Sequence, residues 1–260
     1  LYLLGLVFIS KLLYNSFMER IDDLQFENLK IIQDTNGFRF GIDSVLLTEF
    51  ARDIKKNKTI VDLGTGTGIL GILLSKKVYP KKIIGVEIQE EVAKMAQKSI
   101  KLNSLENIFE IINANIKELK LPKNYYDVVI TNPPYKKVDT GIISKNIKQQ
   151  ISRFEIHANL EDWIKTASEL INSNGSFYMV YRVNRLTELF KILNKYNLEV
   201  KRIRFVYSKL SEQSNLVLIK AVKNGNIFLK VEKPLVIYKE DGTYTNEIIN
   251  IYKDKENNNE

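Results

Sequence analysis

Four consecutive residues, Asn132, Pro133, Pro134 and Tyr135, are the most telling chemistry in this chain. They follow the apolar run Tyr126 to Thr131, which reads as a buried strand ending at the tetrapeptide. An asparagine oxygen and the Pro133 carbonyl can each accept one hydrogen from an exocyclic amine. The prolines fix the chain direction, and a tyrosine ring can stack on the plane of a base. That set suits chemistry on a planar nitrogen, although a proline pair after a strand is also an ordinary turn.

A second cluster lies upstream. Thr59-Ile-Val-Asp62-Leu-Gly64-Thr-Gly66-Thr-Gly68 reads as a strand entering a glycine-rich turn and then a helix, and Lys82 to Glu87 reads as the next strand, closed by an acid. Glycines at 64, 66 and 68 allow a tight turn and close approach of backbone to a ligand. A carboxylate at the tip of the second strand can hold ribose hydroxyls. Strand, turn, helix and acid together describe a site for a nucleoside cofactor, either a dinucleotide or S-adenosylmethionine. Asp62 separates the two: a carboxylate there suits the ammonium of a methionine moiety, directly or through water, and would repel a pyrophosphate.

With these two motifs the chain resembles the class I S-adenosylmethionine-dependent methyltransferases that modify amine nitrogens of adenine, guanine or glutamine. Residues 23–33, 37–47, 85–90 and 201–207, with Tyr244-Thr-Asn-Glu247, extend the likeness. Over nearly all of the chain after Met18 it is similar to the bacterial tRNA1(Val) adenine-37 N6-methyltransferase family, particularly its Gram-positive branch. The resemblance implies transfer of methyl from S-adenosylmethionine, leaving S-adenosylhomocysteine, to the N6 amine of the adenosine beside the anticodon of a valine tRNA, without a metal. It marks Asn132, Pro133, Pro134 and Tyr135 as catalytic, and Phe40, Asp43, Asp62, Gly64, Gly66, Gly68, Glu87, Ile88, Asn115 and Asn132 as cofactor-binding. Related enzymes usually carry Asp where this chain has Asn115; an Asn oxygen can still accept from the cofactor's adenine amine, or the Ala114 backbone can serve instead.

Composition agrees with such an enzyme. A chain of 260 residues holds one sizeable α/β core, and residues 18–252 read as a single catalytic domain. A net charge of +8 favours a polyanionic partner, here tRNA, although abundant Lys, Asn and Ile also fit an AT-rich genome. No cysteine is present, which rules out disulfides and thiolate metal sites, and the single histidine, His157, leaves no histidine-based metal site. Residues 1–17 are apolar at first and then interrupted by Lys11; a membrane span needs about 20 apolar residues, and neither a basic leader nor a small-residue cleavage site is evident. They read as an extension ahead of a start at Met18, in a cytoplasmic protein with no membrane contact and no obligate protein partner.

The elements that must position these residues follow from periodicity. Apolar strands at 58–63, 83–87, 109–113, 127–131, 176–181, 201–207 and 216–222 alternate with helical patterns. They predict a doubly wound, mostly parallel, seven-stranded Rossmann-like sheet with helices on both faces. Cofactor and acceptor then meet at the carboxyl ends of the first and fourth strands, beside Asp62 and Asn132. Asp43 is expected to N-cap a helix from Ser44 to Ile54. The lysine-bearing stretch from Lys136 and Lys137 to Lys148 reads either as a loop that clamps RNA phosphates or as a solvated insertion. Arg153, Arg182 and Arg185 are further candidates for RNA contact, and Arg202 with Arg204 could extend a phosphate track along one strand face. The Asp241-Gly242 turn predicts a β-hairpin over 229–249, and 253–260 a disordered tail. Two rivals stand beside this reading: an N-methyltransferase of ribosomal RNA or of a protein glutamine, and a non-catalytic RNA-binding or cofactor-sensing protein.

Overall fold

The structure is a computed structural model that describes residues 19–35, 41–134 and 158–253. Phe40, Tyr135, Lys136, Lys137, Arg153 and His157 lie outside the described residues, as do the extension at 1–17 and the tail from residue 254 onward.

The elements in chain order are β1 Glu19–Asp23, β2 Lys30–Asp34, α1 Ile42–Phe50, β3 Thr59–Leu63, α2 Ile69–Lys77, β4 Lys82–Glu87, α3 Glu90–Leu102, β5 Phe109–Asn113, β6 Tyr126–Thr131, α4 Leu160–Leu170, β7 Ile171–Arg182, α5 Leu186–Lys195, β8 Leu198–Tyr207, β9 Leu216–Lys223, β10 Lys230–Val231, β11 Leu235–Val236 and α6 Asn246–Lys253. The seven expected strands are β3 to β9. They lie in the order β8-β9-β7-β6-β3-β4-β5, and the two-residue strands β10 and β11 both pair with β8 and bring the sheet to nine. All neighbours run parallel except β9, which is antiparallel to both β7 and β8. The separate β1–β2 hairpin packs on α3.

Alternation along the central strands divides two cores between the faces of the sheet. Ile60 of β3 with Val128 and Ile130 of β6 joins α1, α2 and α6 on one face. Val61 and Leu63 with Tyr126 and Val129 join α4 and α5 on the other. Successive side chains of a strand point to opposite faces, so strands that carry apolar residues on both faces must be covered twice. β3 and β6 are such strands, and their buried position at the middle of the sheet fixes where their ends emerge.

Several expected boundaries move: β7 begins at Ile171 instead of Ser176 and β8 at Leu198 instead of Lys201. Helix α1 starts one residue before Asp43 and has Gly41 as its N-cap, so Asp43 sits in the first turn, where a carboxylate still complements the helix dipole; the helix ends at Phe50 instead of Ile54. The hairpin over 229–249 reduces to a single antiparallel bridge, Tyr238 with Tyr244, around the Asp241-Gly242 turn. The two tyrosine rings stack with centroids 5.1 Å apart. β10 and β11 pair with β8, not with each other. Ile248 and Ile251, three residues apart, are buried on one side of α6, and that helical spacing overrides the strand pattern; Lys253, expected in the tail, ends this helix.

Candidate active site

β3 and β6 are neighbours with Asp62 opposite Ile130 and Leu63 opposite Thr131. The glycine turn after Leu63 and the residues Asn132 to Pro134 therefore leave adjacent strands at the same sheet edge. The Thr131 hydroxyl, fully buried, donates to the Leu63 carbonyl at 2.8 Å and ties the two strand tips together. Pro133 is buried and Pro134 exposed. The Asn132 side chain is partly buried, and its Nδ2 donates to Ser44 Oγ in the first turn of α1 at 3.1 Å.

Asp62 lies beside that edge, fully buried. Its Oδ2 accepts a hydrogen bond from Thr65 Oγ1 at 2.6 Å, while Oδ1 is buried without a partner. Burial pushes its carboxyl up to about 7; Thr65 opposes the rise and the charge of nearby Glu87 adds to it. A buried carboxylate oxygen without a donor is costly unless something supplies a positive charge or a hydrogen bond. This orphaned atom fits a ligand that brings an ammonium group.

Glu87, 4% exposed at the end of β4, accepts from the Gly66 backbone N–H at 3.0 Å and from that of Gln89 at 2.9 Å. Burial raises its pKa against these backbone donors. Two bonds leave lone pairs on its oxygens for ribose hydroxyls. The glycine turn itself is held by Gly64 and Thr65, whose N–H groups both donate to the Val86 carbonyl at 2.8 and 2.9 Å.

Two of the glycines are required for distinct reasons. At Gly64, φ is +69° and a Cβ would stand 2.7 Å from the Trp163 ring of α4. At Gly66, φ is +57° and a Cβ would meet no atom of the described residues within 4 Å, so the backbone there is open to a ligand. Gly64→Ala is expected to destabilise the fold by about 2 kcal/mol or more, from left-handed backbone strain and the ring contact together; a chemical denaturation midpoint measures it.

The third predicted contact is used locally. Asn115 Oδ1 accepts from the Lys117 N–H at 3.0 Å and caps the short turn Ile116–Glu118, and the Ala114 N–H donates to the Glu87 carbonyl at 3.0 Å. Asn113, which carries no motif, donates from Nδ2 to the carbonyls of Glu87 and Ile88 at 2.8 and 3.1 Å and shapes the turn after β4. Ser44, Thr65, Asn113, Thr131 and Trp163 all serve this site and escape a reading of the sequence. Thr65 lies inside the glycine motif and Thr131 is a polar residue closing an apolar run, whereas no local pattern marks Ser44, Asn113 or Trp163.

A model of the methyltransferase small domain matches residues 40–206, well over half of the chain. The chain belongs to that methyltransferase family. A tRNA1(Val) (adenine(37)-N6)-methyltransferase of Haemophilus influenzae is 29% identical over 237 residues, covering 88% of this chain and 96% of that relative. Among solved structures, a predicted O-methyltransferase of Agrobacterium tumefaciens aligns with a TM-score of 0.64 at 21% identity, over 81% of this chain and 95% of that one. M. jannaschii TYW2 in complex with AdoMet aligns at 0.56 and 19% identity, over 81% of this chain and 88% of that one. These likenesses show the class I methyltransferase fold. Among the described residues, no group of three or more His, Cys, Asp or Glu could hold a metal, and no helix is long and apolar enough to cross a membrane.

The basic candidates of this methyltransferase divide by their partners. Arg182 ends β7 at the edge that carries Asn132. Arg185 is held by Glu188 through Nε and Nη2, each at 2.9 Å, and lies over the Tyr181 ring. Arg202 and Arg204 do not form the expected phosphate track. Arg202 stacks on Phe50 at 4.2 Å and pairs with Asp53 at 2.9 Å, and Arg204 pairs with Glu247 at 2.6 Å. Lys220 also bonds Asp53, as does the Tyr178 hydroxyl. Burial alone would raise the pKa of Asp53, yet Lys220 and Arg202 hold it below its ordinary value. A groove of about 760 Å³ at this end of α1 is lined by Arg52, Arg202 and Arg204 and by Glu49, Asp53, Glu232 and Glu247, so its acids outnumber its arginines and it offers phosphate no net attraction. Arg202→Ala is expected to lower stability by about 1–3 kcal/mol through the lost pair and ring contact, with methyl transfer per folded molecule unchanged. Thermal melts beside rates normalised to folded protein check it.

Proposed function

We propose that this chain transfers the methyl group of S-adenosylmethionine to the N6 amine of an adenosine in tRNA, at position 37 of a valine tRNA, the activity its Haemophilus influenzae relative is named for. The observation that carries the reading is the meeting of two unlike groups on adjacent strand ends: the buried, unpartnered Oδ1 of Asp62, next to last in β3, and the Asn132 amide just after β6.

When bound, S-adenosylmethionine supplies an electrophilic methyl on a sulfonium. Asp62 holds its ammonium, Glu87 its ribose hydroxyls, and the turn from Gly64 to Gly68 lets the backbone approach. Asn115 would contact its adenine. Phe40 and Asp43 would contribute to a wall of the same pocket. The Asn132 oxygen and the Pro133 carbonyl accept the two hydrogens of the target amine, which turns its lone pair toward the methyl, and Tyr135 fixes the plane of the base. Alignment and exclusion of water carry most of such a reaction, because an amine nitrogen attacks a sulfonium methyl without prior loss of a proton. The proton leaves to solvent after transfer.

An adenosine in an anticodon loop must splay out of its stack to reach a pocket of this kind. Lys136 and Lys137 follow the end of β6 in the sequence and Arg182 ends the neighbouring strand β7 at the same sheet edge; with Arg153, we assign them to RNA phosphate contact. Arg185 joins them only by releasing Glu188.

Transfer of labelled methyl from S-adenosylmethionine to total tRNA from a strain lacking the protein, followed by nucleoside analysis, tests the reading. N6-methyladenosine in valine tRNA is the expected product. Label confined to ribosomal RNA or to a protein glutamine would keep the fold and chemistry and overturn the substrate.

A further inference from the structure

The geometry points to Ser44 as a positioning residue for the target amine, acting through Asn132; the inference rests on the functional reading above. An asparagine amide has two ends of nearly equal shape and opposite character. With oxygen toward the acceptor base it receives an N–H from the target amine. Turned over, it presents its own NH2 to that amine, donor against donor. The backbone of Asn132 does not choose between these states, since they differ only by rotation of the amide about its last bond.

Ser44 makes the choice. Its Oγ lies 3.1 Å from Asn132 Nδ2, and the residue is 3% exposed, so water does not replace the contact. A serine in the first turn of a helix can return its hydroxyl hydrogen to a carbonyl of the preceding turn, which leaves the oxygen lone pairs for an incoming donor. Fixing the nitrogen of Asn132 on Ser44 directs the oxygen to the opposite side. Helix α1 is itself well anchored: its N-cap Gly41 receives the Ser44 backbone N–H at 3.3 Å, and beyond its other end Asp53 is bound by Arg202, Lys220 and Tyr178. The separation of 88 positions along the chain between Ser44 and Asn132 hides this pair from any local motif.

A double-mutant cycle under single-turnover conditions tests it, with Ser44→Ala, Asn132→Ala and the pair. Alanine is a better helix former than serine, so Ser44→Ala keeps α1, and a thermal melt verifies that. Ser44→Ala is expected to slow methyl transfer about tenfold, the scale of one oriented hydrogen bond, with binding of S-adenosylmethionine unchanged. In the Asn132→Ala background the same substitution is expected to have no further effect, because the group it orients is gone. An equal slowing in both backgrounds would show that Ser44 acts on the fold instead and would overturn the inference, as would a Ser44→Ala protein with normal turnover. If the unsubstituted protein transferred no methyl to RNA or protein glutamine, the functional reading and this inference would fall together.

Discussion

Asn132→Ala is expected to reduce the single-turnover rate of methyl transfer about a hundredfold or more while S-adenosylmethionine binds as before. The magnitude is that of removing one preorganised polar contact at a reacting centre. Two features separate the effects on rate and on binding. Asn132 leaves β6 and the cofactor groups leave β3 and β4, so the side chain removed is not among those that hold the ammonium or the ribose. Asn132 is also only partly buried, and its side chain hydrogen-bonds to Ser44 among the described residues, so truncation costs the fold little. A stopped-flow or quench measurement of transfer beside equilibrium binding of the cofactor checks both halves. A variant that binds and turns over normally would remove Asn132 from the mechanism.

Asp62→Asn is expected to weaken S-adenosylmethionine binding by about two orders of magnitude at pH 8 and, at the same pH, to make the unliganded protein more stable. Both follow from one buried carboxyl. Its pKa is pushed up to about 7 by burial, while in the unfolded chain it is near the ordinary aspartate value of about 3.9. Between these values the folded state holds a proton that the unfolded state has lost. This contribution to stability is therefore complete below about pH 4 and falls as pH rises toward 7. Above 7 the folded protein carries an ionised Asp62 whose Oδ1 has no donor, a cost that a neutral asparagine avoids. Cofactor binding runs the other way, since only the ionised carboxylate attracts an ammonium. Affinity should rise about tenfold per pH unit up to about 7 and then level. Thermal melts and calorimetric titrations from pH 5 to 9, on both proteins, check the opposed slopes; a pH-independent affinity in the native protein would sink the assignment.

How far these features can be read from the sequence depends on how local their causes are. β3 to β9 follow from apolar runs of the right length, because a strand buried on both faces leaves a continuous signature. Asp62, Glu87 and Asn132 are placed by the rule that strand ends in such a sheet share an edge. Ser44 and Asn113 cannot be read this way, because each acts through a contact with a distant part of the chain. The C-terminal segment misleads for a different reason. Asp241-Gly242 is a strong turn signal, and Gly242 does take a φ of +85°, but the turn constrains only its neighbours, and burial of Ile248 and Ile251 decides the conformation beyond it. Arg202 and Arg204 show the limit of counting charge: a positive total does not reveal which cations are already spoken for by Asp53 and Glu247.

The hydrogen bond from Thr131 to the Leu63 carbonyl gives the reaction a fixed ruler. Neighbouring strands in a sheet are about 4.8 Å apart, and in the proposed mechanism the methyl donor and the amine that receives it are each held at the tip of one of two such neighbours. Their spacing is thus a property of the sheet's own lattice, insensitive to whatever loops surround it. New acceptors can be recruited by rebuilding those loops while the distance over which the methyl must travel stays as the backbone sets it.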